Sequence, residues 1–323
     1  MNVNELKVFL ATYNRPEMMA RQLDSILCQT VRPDVVTVLD NGADPRTRQS
    51  VEARAEKGAR YCSTSHLGPA GNTLTAQELC RDGKYVAVFH DDDMLHPQYL
   101  EYVMKVIEAH PHIALVVGSC VIQDADRFVL PRDRPHGRGL LLGSRDWASL
   151  MFNVGTRKYP FAFYEVTRFR SLDIEKISSA CGRAGDLRVL MDAVSDGEAA
   201  FLTFPFAIYG AHPGQDSYNP DTFPDVRCYA NLYACFRRHM GDDLRTWAGF
   251  SYAFRCGRVL RSAYKRRGKK TLSYRDYLSY ARQVGAIPPC AHLLRPISNH
   301  LTQKWVSKLV ERSLFSNMRE LTP

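Results

Sequence analysis

Three consecutive aspartates, Asp91, Asp92 and Asp93, follow the apolar run at residues 85–89 with only His90 between them. Adjacent carboxylates repel one another, and a fold tolerates them beside a buried strand mainly where a cation or a hydrogen-bonding ligand compensates. Oxygen ligands favour hard cations such as Mg²⁺ or Mn²⁺, which keep several waters and bind phosphate oxygens. The triplet therefore predicts a metal site, or alternatively a solvated acidic turn in which Asp93 caps the next helix.

Short apolar runs alternate with amphipathic stretches through the first half of the chain, a pattern typical of β-α-β units. We predict strands at residues 6–11, 34–39, 60–63, 85–89, 113–117 and 199–209, and helices at 16–27, 45–57, 73–81, 97–109, 144–152, 171–178 and from 185. Residues 124–143 are predicted to be a loop, and the pattern becomes helical from about residue 223. The predicted fold is α/β and Rossmann-like, with a mostly parallel sheet flanked by helices and a helical C-terminal extension.

Polar groups follow several of these strands: Thr12 to Arg15 after the first, Asp40 after the second and the Asp triplet after the fourth. In open α/β sheets, ligands bind in the crevice outside the carboxyl ends of the strands. The sequence therefore predicts that these residues meet at one site.

A formal charge of +13 falls on residues 244–310, which contain fourteen Lys and Arg against the single acid Asp276. The whole chain carries only +9, so the remainder is mildly acidic. This division predicts an anionic partner for the basic segment: a phospholipid surface, a nucleic acid or a polyphosphate carrier.

The nine cysteines are scattered and never spaced as C-x-x-C, which supports neither a disulfide framework nor a zinc site. We expect reduced core thiols. No stretch reaches the length of a membrane-spanning helix, and the first residues lead into a strand without a cleavable apolar segment, so we expect the protein to stay in the cytoplasm.

Several enzyme classes that share an alternating α/β pattern are disfavoured by the sequence. The first strand lacks the G-x-G-x-x-G of dinucleotide-dependent oxidoreductases, and no Walker A motif occurs. The Gly- and Arg-rich loop expected of a sugar nucleotidyltransferase after strand one is also absent.

Four segments occur in order at the ends of the predicted strands: ATYNRP at 11–16, DNG at 40–42, GPAGN at 68–72 and FHDDD at 89–93. Together they resemble the inverting nucleotide-sugar transferases of glycosyltransferase family 2, which have the GT-A fold. The resemblance covers about residues 6–217. It implies a GT-A domain at residues 1–220, followed by a basic helical region at 221–323.

The resemblance also implies roles for individual residues. The backbone near Thr12 would cradle the base and ribose, Asp40 would bind the base, and Gly68 would allow close approach of the nucleotide. Those implied to bind the nucleotide sugar are Ala11, Thr12, Tyr13, Arg15, Asp40, Gly68, Asn72, Asp91 and Asp92. The implied metal ligands are Asp93, Asp91 and His212, and the implied cofactor is Mn²⁺ or Mg²⁺.

The catalytic base of the family lies in an acid pair before a helix. The matching segment here is Gly185-Asp186-Leu187, in which glycine replaces the usual first acid. Asp186 is therefore the candidate base, or alternatively a helix-start acid favoured by the helix dipole. His212 follows the last core strand, where a structural histidine and a metal-associated one are both consistent with the sequence.

The resemblance implies a metal-dependent hexosyl- or N-acetylhexosaminyltransferase that uses a nucleotide-sugar donor, with UDP the usual carrier. The acceptor would be a glycan or a polyprenyl-diphosphate-linked glycan in surface polysaccharide synthesis. With the basic segment, this predicts a peripheral protein on the anionic inner face of the plasma membrane. The alternative is a nucleic-acid-binding protein built on residues 244–310, although the Asp triplet argues against nucleic acid as the partner.

Overall fold

The computed structural model describes residues 5–67, 70–124, 127–129, 139–154, 161–211, 226–240 and 319–320. The strands are β1 (Leu6–Thr12), β2 (Val36–Asp40), β3 (Ala59–Ser63), β4 (Tyr85–His90), β5 (Met94–Leu95), β6 (Leu115–Asp124), β7 (Arg127–Val129), β8 (Leu140–Gly143), β9 (Ala162–Glu165), β10 (Glu198–Ala211) and β11 (Arg319–Glu320). The helices are α1 (Pro16–Leu27), α2 (Pro45–Glu52), α3 (Gly71–Leu79), α4 (Tyr99–Ala109), α5 (Ser144–Ser149), α6 (Val166–Ser171), α7 (Ile174–Cys181), α8 (Gly185–Asp192) and α9 (Val226–Met240).

All of these strands belong to one sheet, in the order β11-β8-β10-β6-β9-β4-β1-β2-β3, with β5 paired to β10 and β7 paired to β6. The block β4-β1-β2-β3 is parallel, as predicted. Beyond it the sheet is mixed, because β9 lies antiparallel between β4 and β6. The parallel block aligns the carboxyl ends of β1, β2 and β4 at one edge.

Residues of β1 alternate between the two faces of the sheet, as the period of a strand requires. Val8 and Leu10 pack in a core with α1 and α4, whereas Phe9 packs in a core on the opposite face with α3, α6 and α7. A third core lies under β8 and β10 and holds Trp147 and Phe236. The sheet is thus covered by helices on both faces, and the predicted α/β class is confirmed.

Helix α1 begins as the sequence predicts, with Pro16 in its first turn, where the missing backbone N–H costs no hydrogen bond. Met19, Leu23 and Ile26 lie on its buried face and are fully shielded from solvent. Asp44 caps α2 by accepting a hydrogen bond from the backbone N–H of Arg46.

The second half of the chain differs from the prediction in several places. The helix expected at residues 171–178 is α7, which begins later, at Ile174, because Asp173 caps it by accepting from the backbone N–H of Lys176, and the preceding helix α6 was not predicted. Strand β9 was not predicted. Strands β7 and β8 lie within residues 124–143, where a loop was expected.

Beyond residue 220, the two elements that the structure describes both contact the rest of the fold. Leu232 and Phe236 of α9 are buried in the core that also contains Trp147, and β11 pairs with β8. The division at residues 1–220 and 221–323 stays a prediction. In the described part of the chain, no helix has the length and apolar character needed to cross a membrane.

Candidate active site

The carboxyl ends of β1, β2 and β4 bring the sequence-predicted residues together. The strands pair in register, with Thr12 opposite Asp40 and Ala11 opposite His90. The Asp triplet follows His90 directly, so it lies beside the end of β1. The convergence inferred from the sequence is therefore present in the structure.

A hydrogen-bond network links Asp91 to the end of β1. The Thr12 hydroxyl donates to Asp91 Oδ2 at 2.7 Å, and Arg15 Nη1 donates to Asp91 Oδ1 at 3.2 Å. Arg15 Nη1 also lies 3.7 Å from Asp92 Oδ2. One guanidinium therefore compensates two of the three adjacent carboxylates, which explains how the fold tolerates the triplet.

Burial has the largest effect on the pKa of Asp91. Asp91 is only 5% exposed, and this desolvation raises the pKa of its carboxyl group. The Thr12 hydrogen bond and the Arg15 charge lower the pKa, while the Asp92 charge raises it. Thr12 and Arg15 therefore favour the ionised form against the cost of burial.

Asp40, at the end of β2, is fully buried and accepts two hydrogen bonds. The Gly42 backbone N–H donates to Oδ1 at 2.9 Å, and the Tyr61 hydroxyl donates to Oδ2 at 3.1 Å. Burial and then the Asp40 charge raise the pKa of Tyr61, so its hydroxyl stays a donor at neutral pH. These contacts hold the Asp40 carboxylate in one orientation.

The turn after β2 packs closely on the turn after β1. Asn14 has a φ of 52°, in the left-handed region. A Cβ atom at Gly42 would lie 2.1 Å from Asn14 Oδ1 and 2.8 Å from the Asn14 backbone nitrogen, so a side chain there would force one of the turns to shift. The two turns therefore form one closely packed surface at the sheet edge.

Strand β10 reaches the Asp triplet from the second half of the chain. The Gly210 backbone N–H donates to Asp93 Oδ1 at 3.2 Å, and Asp93 is only 2% exposed. A Cβ atom at Gly210 would lie 2.0 Å from the Asp92 carbonyl oxygen. Asp92 and Asp93 offer carboxylate oxygens alone, which fits a hard divalent cation such as Mn²⁺ or Mg²⁺.

Asp186 lies in the first turn of α8, within electrostatic range of His90 at the end of β4. Although Asp186 is accessible to solvent, the protein around its carboxylate reduces hydration, and this desolvation raises the pKa of Asp186. The nearby His90 opposes that shift. The Asp186 charge also contributes, after burial, to the raised pKa of Tyr164 on β9.

The remaining predicted residues differ in position. Ala11 is half-buried in β1, and Tyr13 is 62% exposed beyond the end of that strand. Asn72 lies in the first turn of α3, where its Oδ1 accepts a hydrogen bond of 2.5 Å from the Thr64 hydroxyl. Gly68 and His212 lie outside the described residues.

Tyr61, Thr64 and Gly210 contact site residues but were not among the predicted ones. The hydroxyl contacts of Tyr61 and Thr64 depend on strand register and on a turn, which local sequence does not reveal. Gly210 had a signal, because an isolated glycine in a strand pattern indicates a close backbone approach.

The sequence has recognisable relatives. The model of the family described as "Glycosyl transferase family 2" matches residues 7–172. An uncharacterized glycosyltransferase of Methanocaldococcus jannaschii is 27% identical over 135 residues, 40% of this chain and 46% of that protein. The galactofuranosyltransferase GlfT1 of Mycolicibacterium smegmatis is 29% identical over 132 residues, 39% of this chain and 42% of that protein. The chain thus spans less than half the length of these relatives.

Solved structures with the same fold include S. aureus TarS 1-349 in complex with UDP-GlcNAc. It has a TM-score of 0.60 at 15% identity, covering 96% of this chain and 90% of that one. The mannosyltransferase PcManGT of Pyrobaculum calidifontis, in complex with GDP-Man and Mn²⁺, has a TM-score of 0.50 at 15% identity, covering 97% and 87%. The predicted GT-A fold is confirmed by this likeness.

Proposed function

The chain belongs to glycosyl transferase family 2, and we propose that it moves a sugar from a nucleoside diphosphate donor to a glycan or lipid-linked glycan acceptor, inverting the anomeric centre. The observation that carries the proposal is the network of Thr12, Arg15 and Asp91 beside the buried Asp40. It gathers polar groups at adjoining ends of parallel strands, where α/β sheets bind nucleotides.

In this proposal the residues divide between the parts of the donor. Asp40 and the turn at Tyr13 bind the base, with Tyr61 holding the Asp40 carboxylate in place. Asp91 and Arg15 face the ribose and diphosphate. UDP is the proposed carrier, and support comes from TarS, which has the same fold and was solved with UDP-GlcNAc.

Asp92 and Asp93 are the proposed ligands of a divalent metal. The sequence predicted Asp91 and Asp93 as metal ligands and Asp92 as a residue that binds the nucleotide sugar. Because both carboxylate oxygens of Asp91 accept from Thr12 and Arg15, we propose instead that Asp91 binds the donor and that Asp92 binds the metal. A bound Mn²⁺ or Mg²⁺ would neutralise charge that develops on the leaving nucleoside diphosphate. His212, two residues after Gly210 in the sequence, stays a predicted ligand.

Asp186 is the proposed base that accepts the proton from the acceptor hydroxyl as that oxygen attacks the sugar. It lies in the first turn of α8, close enough to His90 for that side chain to lower the pKa of Asp186 and close enough to Tyr164 for the Asp186 charge to raise the pKa of Tyr164. Because desolvation raises the pKa of Asp186, its carboxylate is a stronger proton acceptor than an ordinary aspartate.

The acceptor is proposed from the sequence, because the basic segment 244–310 lies outside the described residues. Fourteen basic residues against one acid suit an anionic leaflet or the diphosphate of a polyprenyl-linked glycan. We propose that the enzyme acts in surface polysaccharide synthesis as a peripheral protein on the inner face of the plasma membrane. Co-sedimentation with anionic vesicles at low salt tests this placement, and filter binding to oligonucleotides tests the nucleic-acid alternative.

Calorimetry of UDP binding with and without Mn²⁺ tests the donor and metal sites together. We expect Mn²⁺ to increase the affinity of the wild-type protein, and Asp93→Asn to remove most of that increase. Asp82→Asn is the matched control, because the Asp82 side chain is 84% exposed beside Lys7. Equal affinity of the wild type for UDP in Mn²⁺ and in chelator would contradict the proposed metal site. A hydrolysis screen with UDP, GDP and dTDP sugars then identifies the donor.

A further inference from the structure

A second cluster of potential metal ligands lies away from the Asp triplet, between α8 and α9. It consists of Asp192, the last residue of α8, with Cys235 and His239 of α9. Their ligand atoms all lie within 4.8 Å of one another. Cys235 Sγ is 3.0 Å from Asp192 Oδ1, and His239 Nε2 is 3.4 Å from the same oxygen.

Helix geometry explains why the three side chains converge. Cys235 and His239 are four residues apart on α9, so they lie one turn above the other on the same face. That face packs on α8, and Cys235 is only 1% exposed. The side chains of His239 and Asp192 are 7% and 22% exposed, which leaves a path from solvent to the cluster.

Asp192 is held in place by a fourth residue. Arg188 Nε donates to Asp192 Oδ2 at 3.1 Å, which leaves Oδ1 directed towards Cys235 and His239. Burial raises the pKa of Asp192, but hydrogen bonds from His239, Cys235 and Arg188 outweigh it and bring the pKa to about 2. An ionised carboxylate oxygen therefore faces a thiol and an imidazole.

We propose that Asp192, Cys235 and His239 bind one Zn²⁺ ion, with water as the fourth ligand on the solvent side. Tetrahedral zinc has bonds of about 2.0–2.3 Å, so its ligand atoms lie about 3.5 Å apart. The distances from Asp192 Oδ1 to Cys235 Sγ and His239 Nε2, 3.0 and 3.4 Å, are near this value. Thiolate and imidazole select zinc over Mg²⁺ or Mn²⁺, which distinguishes this site from the Asp triplet.

Binding the metal changes the protonation of Cys235. Burial and the Asp192 hydrogen bond raise the pKa of this thiol to about 12, so Cys235 is protonated while the site lacks a metal. When the Zn–S bond forms, the S–H proton leaves to solvent and the hydrogen bond to Asp192 is replaced by a shared cation.

The proposed zinc site would link α8 to α9, because Asp192 lies on α8 and the other two ligands lie on α9. Helix α8 carries Asp186 in its first turn and Asp192 at its end. A zinc ion that joins Asp192 to α9 would fix the helix that bears the proposed base. The metal would act as a structural link between α9 and the rest of the protein.

Titration of the purified protein with Co²⁺ tests the proposal, because thiolate bound to cobalt gives a near-ultraviolet charge-transfer band that oxygen ligands do not. We expect one equivalent of Co²⁺ to produce this band and Zn²⁺ to abolish it. Cys235→Ser should remove the band, and His239→Gln, which keeps the thiol, should weaken Co²⁺ binding by at least about tenfold.

Two controls should keep the band: Cys28→Ser, at an exposed thiol, and Asp93→Asn, in the Asp triplet. Circular dichroism checks that each variant is folded, and if Cys235→Ser unfolds, His239→Gln decides alone. A wild-type protein without the band, or a folded Cys235→Ser or His239→Gln variant that binds Co²⁺ as the wild type does, overturns the proposal.

Discussion

The Gly210 backbone N–H donates a hydrogen bond to Asp93 Oδ1 across 117 positions of sequence. This contact joins the end of β10 to the acidic turn after β4, so residues from both halves of the chain determine the orientation of the Asp93 carboxylate. The approach is so close that a side chain at position 210 has no space, since its Cβ atom would lie 2.0 Å from the Asp92 carbonyl oxygen.

Gly210→Ala should therefore impair donor binding. The added methyl group must displace either β10 or the acidic turn, and a displacement near 1 Å in a binding site costs about 10- to 100-fold. We expect UDP affinity in the presence of Mn²⁺ to fall by this factor in calorimetry. Gly143→Ala is the control, because a Cβ atom there would meet nothing within 4 Å. Wild-type affinity in Gly210→Ala would show that the contact is not needed for binding.

Thr12→Val should reduce stability. Valine keeps the shape of threonine but removes the hydroxyl that donates to the buried Asp91 Oδ2. An unsatisfied buried acceptor costs about 1–3 kcal/mol, which urea unfolding would measure as a lower midpoint at an unchanged slope. Thr30→Val is the control, because the Thr30 hydroxyl bonds Glu101 at the exposed surface. If both variants lose the same stability, the buried hydrogen bond has no special role.

Arg15→Gln should destabilise the protein more at neutral pH than at acidic pH. Without the Arg15 charge, the pKa of Asp91 rises further above its ordinary value, so ionised Asp91 destabilises the folded state more at neutral pH. We expect a loss of about 1–3 kcal/mol at neutral pH that shrinks as pH falls and Asp91 becomes protonated. Urea unfolding from pH 7 downward measures this difference. Arg46→Gln, at an exposed ion pair with Asp44 and Glu17, should show little change.

The first half of the fold and much of the site could be predicted because their signals are local. Apolar runs indicate β1, β2 and β4, Pro16 indicates the start of α1, and parallel strands place their carboxyl ends at one edge. Thr12, Asp40 and Asp91 therefore meet as expected. The Asp triplet was predicted to lie at the end of a strand, and it does, because β4 ends at His90, directly before Asp91.

The remaining features depend on long-range pairing that a local pattern does not encode. Strand β9 is short and enters the sheet antiparallel between β4 and β6, so neither its length nor its direction could be inferred. The cysteine spacing gave no indication of the Asp192 cluster, because its ligands come from two helices. Tyr61 reaches Asp40 only because β2 and β3 are neighbours in the sheet.

Two other carboxylates, Glu165 and Asp192, are alternatives to Asp186 as the catalytic base, but both already accept hydrogen bonds within the protein. Both oxygens of Glu165 accept backbone N–H groups at the start of α6, from Thr167 and Arg168. Asp192 is held by Arg188 and faces Cys235. Either acid would have to give up these bonds to accept a proton from an acceptor, which leaves Asp186 as the better candidate.

Asp186→Asn should lower turnover by about 100-fold or more while donor affinity stays near the wild-type value, because the amide cannot accept the acceptor's proton. The base must be ionised to act, and desolvation raises the pKa of Asp186. When kcat of the wild type is plotted against pH, its acidic limb should therefore lie at higher pH than it would for an aspartate of ordinary pKa. Asp146→Asn is the matched control, since Asp146 is also an exposed first-turn acid, on α5. If Asp186 only stabilises the start of its helix, both variants will keep most of their turnover. The acidic limb of the wild-type profile will then not depend on the raised pKa of Asp186.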